Sequence, residues 1–190
     1  HPIVKKVPFD FSSQGYTLVI IDTGGSHADL NEDYAAIKNE MQSVARVFGA
    51  RVLREISLEK VLQNIPLLRR QVGDRAILRA IHFFQDDQRV VEQVQALEAN
   101  DMPRFLRLVD ESGASSWKLL QNCYLPADAQ VQSLTLGLAL SQVLLQGQGA
   151  CRVHGGGFAG TFQVFVPEPL LEGYLQPMRR IFGDQACQPL

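Results

Sequence analysis

The sequence predicts an α+β fold with a mainly antiparallel sheet, and three observations carry that reading. A strongly apolar run, Tyr16-Thr-Leu-Val-Ile-Ile-Asp22, stands near one end of the chain. Near the other end, two period-2 segments flank a glycine-rich stretch: Cys151 and Val153 before it, Phe162, Val164 and Val166 after it. Between them, apolar residues recur every three or four positions, the spacing of amphipathic helices. Helices grouped in the middle and strands at the two ends describe α+β rather than alternating β and α units.

Lys6 to Phe11 reads as an extended lead into the first strand, Tyr16 to Asp22. Asn31 and Asp33 can cap a helix reaching about Phe48, with Tyr34, Ile37, Met41, Val44 and Phe48 on its apolar face. Arg51 to Ile56 is expected to be a short strand or an extended link, and Ser57 to start a short helix ending near Pro66. Gly73-Asp74 opens a long helix whose stripe is Ile77, Ile81, Phe84, Val91, Val94 and Leu97, stopping near Asn100-Asp101. Pro103 suits the first turn of the next helix, which carries Phe105, Leu106, Val109, Trp117 and Leu120, with Gly113 expected to interrupt or bend it. Pro126-Ala-Asp is expected to start a helix with Val131, Leu134, Leu138 and Val143 that ends at Gly147 and Gly149. A last helix runs from Pro169 to about Phe182, stopped by Gly183, and Ala186 to Leu190 begins a final strand.

At 190 residues the chain fits one domain with a sizeable core. A net charge of −2, with basic residues clustered no further than pairs such as Lys5-Lys6, argues against a nucleic-acid surface. No apolar run approaches the roughly 20 residues that span a bilayer, and the start has no signal-peptide pattern. Cys123, Cys151 and Cys187, odd in number and widely spaced, form neither a disulfide framework nor a zinc set, so a reducing cytoplasm is the simplest compartment. Both ends, His1-Pro-Ile-Val and Ala186-Cys-Gln-Pro-Leu190, read as cuts from a longer protein.

The stretch Gly149 to Pro167 carries the candidate chemistry. Gly155, Gly156, Gly157 and Gly160 fall within six positions, more than a tight hairpin needs. Such a connection lets a phosphate or another backbone approach closely, and makes either the wall of a ligand site or a wide, bulged corner. It is not a Walker loop, because no Gly-Lys-Ser/Thr follows, and not a dinucleotide fingerprint, because a strand follows rather than a helix. Tyr34, early in its helix, can be packed below and polar at its tip, or simply core. His82 reads as a structural histidine and Asp86-Asp87 as a solvated face or a salt bridge to Arg89. His154, just before the glycines, has a better placement for lining a site. Ser115-Ser116 and Ser12-Ser13 show no His/Asp arrangement that would mark a nucleophile, and no histidine has metal-ligand spacing.

Gly149, Arg152, Gly155, Gly156, Gly157, Phe158, Ala159 and Gly160 resemble the third signature motif of the GHMP small-molecule kinases, and within them the galactokinases. Asp22-Thr-Gly-Gly-Ser-His-Ala-Asp29 with Asp33-Tyr34-Ala-Ala-Ile-Lys-Asn-Glu40, Arg79 to Arg89 with its His and Arg seven residues apart, and Ser112-Gly-Ala-Ser115 resemble further galactokinase segments in the same order. The resemblance spans nearly the whole chain and implies a ferredoxin-like C-terminal domain occupying residues 1–190. It implies that Tyr34 contacts the sugar, and that the loop of Gly155, Gly156, Gly157, Phe158, Ala159 and Gly160 lines the cleft between two domains near the phosphate-binding loop. Ala159 stands where a glycine is common and His154 where many members carry Thr, so no role passes to His154. The family's Gly-Glu-His sugar motif, its Pro-x-x-x-Gly-Leu-Ser-Ser-Ser phosphate loop and its catalytic Asp and Arg belong to the N-terminal domain and do not occur in this sequence. The resemblance therefore implies a parent enzyme using ATP and Mg²⁺, bound mainly by the N-terminal domain, and an isolated chain without catalytic residues or activity. A non-catalytic galactose-binding regulator or a kinase for another sugar are the alternatives. Apolar surface left by the N-terminal domain is expected to promote self-association.

Overall fold

The computed structural model describes residues 4–25, 30–126, 128–158 and 160–190. Four strands form one sheet in the order β2-β3-β1-β4: β1 is Tyr16–Asp22, β2 Ala150–Val153, β3 Thr161–Pro167 and β4 Cys187–Pro189. Every neighbouring pair is antiparallel, with Asp22 opposite Thr161, Val19 opposite Val164 and Cys151 opposite Val164. Helices α1 (Asn31–Val47), α2 (Leu58–Gln63), α3 (Ile65–Gln71), α4 (Asp74–Glu98), α5 (Met102–Ser115) and α6 (Ser133–Leu145) lie between β1 and β2, and α7 (Leu171–Phe182) lies between β3 and β4. This is the split β-α-β-β-α-β, ferredoxin-like plan, with its first crossover expanded into a helical layer.

One face of the sheet buries Val19, Ile21, Cys151, Val153, Phe162, Val164 and Val166 against Leu134 and Leu145 of α6 and Tyr174, Leu175 and Met178 of α7. Each such side chain contributes about 1.5–3 kcal/mol of burial. Ala150 and Phe165 point the other way, into a cluster with Met102, Phe105, Leu106 and Val109 of α5 and the half-buried Phe9 and Phe11. A third core of Val44, Ala45, Leu53, Val61, Leu68, Ala76, Ile77 and Ala80 joins α1 through α4.

Helix ends follow local chemistry. Glu32 and Asp33 sit in the first turn of α1, where the helix dipole favours acids. The Ser57 hydroxyl accepts from the Lys60 N–H at 3.2 Å to cap α2, and the Asp101 carboxylate accepts from the Arg104 N–H at 3.0 Å to cap α5.

Four expectations are corrected. Residues 53–55 form a 3-10 turn between extended Val52 and Ile56 rather than a strand. Pro66 opens α3 instead of ending α2, because proline's missing N–H costs nothing in a first helical turn. Gly113 stays inside α5 without breaking it; a Cβ there would lie 2.7 Å from the Cys151 carbonyl, so the glycine serves close helix–sheet packing. The helix expected from Pro126 starts only at Ser133, because the Asp128 carboxylate accepts from the N–H groups of Gln130 and Val131 (3.0 Å each) and holds a turn there.

Candidate functional site

The His154 N–H donates to the Thr161 carbonyl at 2.9 Å and closes the stem between β2 and β3. Beyond it the chain coils through positive φ at Gly155 (+73°), Gly157 (+85°) and Phe158 (+60°). Phe158 is not a glycine, so this conformation costs about 1 kcal/mol or more. Burial of its ring with Leu30, Tyr34, Ile37 and Leu125 offsets that cost.

Tyr34 stands in the first turn of α1 with its ring edge-on to Phe158, centroids 5.2 Å apart. Its hydroxyl donates to the Gly157 carbonyl at 3.0 Å, and burial raises the phenol's pKa above the usual value. Tyr34 and the glycine loop, read separately in the sequence and 123 residues apart, are one contact. The loop approaches the ring so closely that a Cβ on Gly156 would lie 2.5 Å from Tyr34 Cε1. Both readings of Tyr34 hold in part: its ring packs in a small apolar cluster, while its hydroxyl reaches the loop backbone.

Asn122 closes the loop from below, and sequence reasoning missed it. Its side-chain Nδ2 donates to the Gly156 carbonyl at 3.1 Å, and its own carbonyl accepts from the Phe158 N–H. It is 2% exposed. A Cβ on Gly157 would run into the Asn122 carbonyl and amide, so glycine is required there on both torsional and steric grounds. The one sequence signal was an Asn directly after a helical pattern, a residue type that competes for backbone hydrogen bonds at chain turns. Residues 116–120 continue α5 as a π-turn, and Gln121 at φ +57° ends it and delivers Asn122 to the loop.

Two further ties fix the surroundings. The buried Thr23 hydroxyl, just past β1, donates to the Gly160 carbonyl at 3.0 Å. Arg79 of α4, 2% exposed, donates from Nε to the Leu120 carbonyl (3.0 Å) and from Nη1 to Glu40 of α1 (2.9 Å), which Arg75 also engages. Burial lowers the Arg79 pKa, opposed by the Glu40 charge. An apolar cleft of about 490 Å³, walled by Tyr34, Ile37, Met41, Leu53, Phe83 and Gly156, opens alongside.

The other candidates lie elsewhere. His154 is exposed, its Nδ1 3.2 Å from Gln163 Oε1. Ser115 does have a histidine partner, contrary to the sequence reading: its Oγ is 2.9 Å from His82 Nδ1, and His82 Nε2 is 3.8 Å from Asp86. This trio is a helix–helix seam rather than a nucleophile, because Ser115 and His82 are both buried and Asp86 is engaged by the Ser112 hydroxyl (2.7 Å) and Arg89 (2.6 Å). The salt bridge expected between Asp86 and Arg89 is present. Burial pushes the Cys123 and Cys151 thiols up to about 12, which leaves them poor nucleophiles. Ala159 and His27 fall outside the described residues. Among the described residues no group of three or more His, Cys, Asp or Glu side chains is placed to hold a metal ion, and no helix is long and apolar enough to cross a membrane.

What the corner offers is shape: a phenol and a coil of backbone hydrogen-bonded to one another at the edge of a cleft. No family model matches the chain. Galactokinase of Actinobacillus pleuropneumoniae is 30% identical over 170 residues, 90% of this chain and 41% of that protein. Galactokinase of Glaesserella parasuis is 31% identical over 159 residues, 84% of this chain and 39% of that protein. The chain is a homologue of the C-terminal part of the galactokinases. It spans about two fifths of the length of these curated relatives. Among solved structures, Lactococcus lactis galactokinase complexed with galactose superposes with a TM-score of 0.71 at 20% identity, over 97% of this chain and 45% of that one. Mevalonate kinase of L. major, in complex with R-mevalonate, gives 0.51 at 13% identity over 97% of this chain and 44% of that one. The ferredoxin-like plan is thus the fold of the GHMP kinases.

Proposed function

We propose that the chain is the C-terminal half of an ATP-dependent, cytoplasmic galactokinase that phosphorylates galactose to galactose 1-phosphate. The observation that carries this reading is the contact between Tyr34 and the glycine loop in a chain homologous to galactokinases. In it, Tyr34 contacts the sugar and the loop of residues 155–160 lines the cleft between the domains. Phosphoryl transfer depends on positioning and on stabilising charge around the γ-phosphate, with little covalent work for the protein. The described residues are suited to the positioning part, since the Tyr34 hydroxyl and the Asn122 amide tie down the loop backbone beside the cleft. ATP and Mg²⁺ are held mainly by the N-terminal domain. The 190-residue chain alone is accordingly inactive. It also self-associates through exposed apolar residues such as Val131, Leu136 and Val143; a dilution series by light scattering that found only monomer would remove this part of the proposal.

The test is ADP release by the full-length protein with ATP, Mg²⁺ and galactose, with glucose and N-acetylgalactosamine in parallel. Turnover on galactose, with a raised galactose KM in Tyr34→Phe, is the expected result. Galactose binding without turnover of any sugar would replace the kinase by a sugar sensor. Turnover confined to another sugar would replace the substrate.

A further inference from the structure

The contacts around the loop form a closed circuit. From Tyr34 it passes through the hydroxyl to the Gly157 carbonyl, and from the adjoining Gly156 and Phe158 backbone to Asn122. It then runs two residues back along the chain to Leu120, whose carbonyl takes the Arg79 Nε. Arg79 Nη1 meets Glu40, and Glu40 lies on α1, the helix that carries Tyr34. Two of its members, Asn122 and Arg79, are almost fully buried polar side chains, and each bridges two separate segments. A buried polar group that links segments in this way fixes geometry more than it adds stability, because any other arrangement strands its hydrogen bonds. Arg79 suits this bridging, since its planar guanidinium donates in two directions at once, which a lysine ammonium on a flexible stem does not reproduce.

We propose that Asn122 and Arg79 are positioning residues for sugar binding, which set the Tyr34 phenol and the Gly156–Gly157 backbone at a fixed separation. Neither touches substrate; each acts through Tyr34 and the loop. This role rests on the reading of Tyr34 as a sugar contact. It predicts a selective effect. Loosening the circuit displaces the sugar side of the cleft, while the nucleotide side, held mainly by the N-terminal domain, keeps its shape.

The experiment uses the full-length protein with Asn122→Asp, Asn122→Ala, Arg79→Lys and Arg79→Met. Asn122→Ala removes the Nδ2 donor without adding charge, whereas Asn122→Asp keeps the side-chain size but sets a buried carboxyl group against the Gly156 carbonyl, so whichever of the two folds reports on the contact. A single neutral hydrogen bond corresponds to roughly a threefold to tenfold change in an equilibrium. Asn122→Ala is expected to raise the galactose KM and weaken galactose binding by calorimetry by about that factor, and Asn122→Asp by at least as much, with the ATP KM within about twofold of wild type in both. Arg79→Lys is expected to shift galactose KM in the same direction by less than Arg79→Met. A folded Asn122→Ala or Asn122→Asp with unchanged galactose KM overturns the proposal, and so do galactose and ATP KM values that rise together. Wild-type protein that neither binds nor phosphorylates galactose overturns the galactokinase reading itself. The two failures are therefore told apart by the wild-type control.

Discussion

The glycine-loop corner and the seam between α4 and α5 are both buried polar clusters, and they are built in opposite ways. In the seam, side chains satisfy side chains: His82 with Ser115, Asp86 with Ser112 and Arg89. At the corner, side chains satisfy backbone: Tyr34 reaches the Gly157 carbonyl, Asn122 the Gly156 carbonyl and Thr23 the Gly160 carbonyl. The seam's identity therefore lies in what its residues carry, and the corner's in what its residues lack. The seam turns inward and joins two helices. The corner leaves one flank against a cleft. A cluster that spends its polar groups on its own backbone produces a defined surface, whereas one that spends them on side-chain pairs produces a joint.

Substitutions at the corner separate its two glycines. Gly157→Ala has the largest expected effect, because its φ of +85° and the Asn122 backbone both oppose a Cβ. A loss of about 3 kcal/mol is expected, read as a lower urea midpoint together with lost galactose binding. Gly156→Ala meets a ring carbon of a half-buried tyrosine that can swing aside, so stability should fall by only about 1 kcal/mol while galactose KM rises. Equal stability losses for the two would break the distinction between a backbone lock and a side-chain contact.

The seam answers to pH instead. Burial lowers the His82 pKa from its usual 6.5, with Asp86 pulling the other way. The folded imidazole stays neutral where the unfolded one begins to take up a proton. Its contribution is therefore fully present above about pH 6.5 and is lost as pH falls below it. His82→Gln should flatten that part of the stability profile, measured by urea unfolding across mildly acidic pH. A variant profile as steep as wild type would show that the seam does not exclude a charged imidazole. This is the smallest of the expected effects, because one histidine among several groups contributes it.

Much of this was legible in the chain. The apolar run at Tyr16 to Asp22 and the alternation from Phe162 to Val166 fixed the two central strands, since period-2 burial has few alternatives. Pro66 misled because proline marks helix starts as readily as stops, and Pro126 because the Asp128 turn delays the helix to Ser133. Asn122 was invisible for a different reason. Its partner Gly156 is 34 residues away, and its role follows from a π-turn whose sequence looks like ordinary helix. Ser115 and His82 were each visible, but their meeting depends on how α4 crosses α5, which no local spacing encodes.

The hydrogen bond from Thr23 to Gly160 joins residues 137 positions apart, at the end of the central strand pair where Asp22 faces Thr161. On a ribosome, the first strand emerges long before its partner and must wait unpaired while six helices are made. The helical layer has mostly local contacts and can form during that wait, whereas the loop corner cannot exist until Gly160 has been made. Newly made protein should thus acquire most of its helix content before it acquires any affinity for a ligand at this corner.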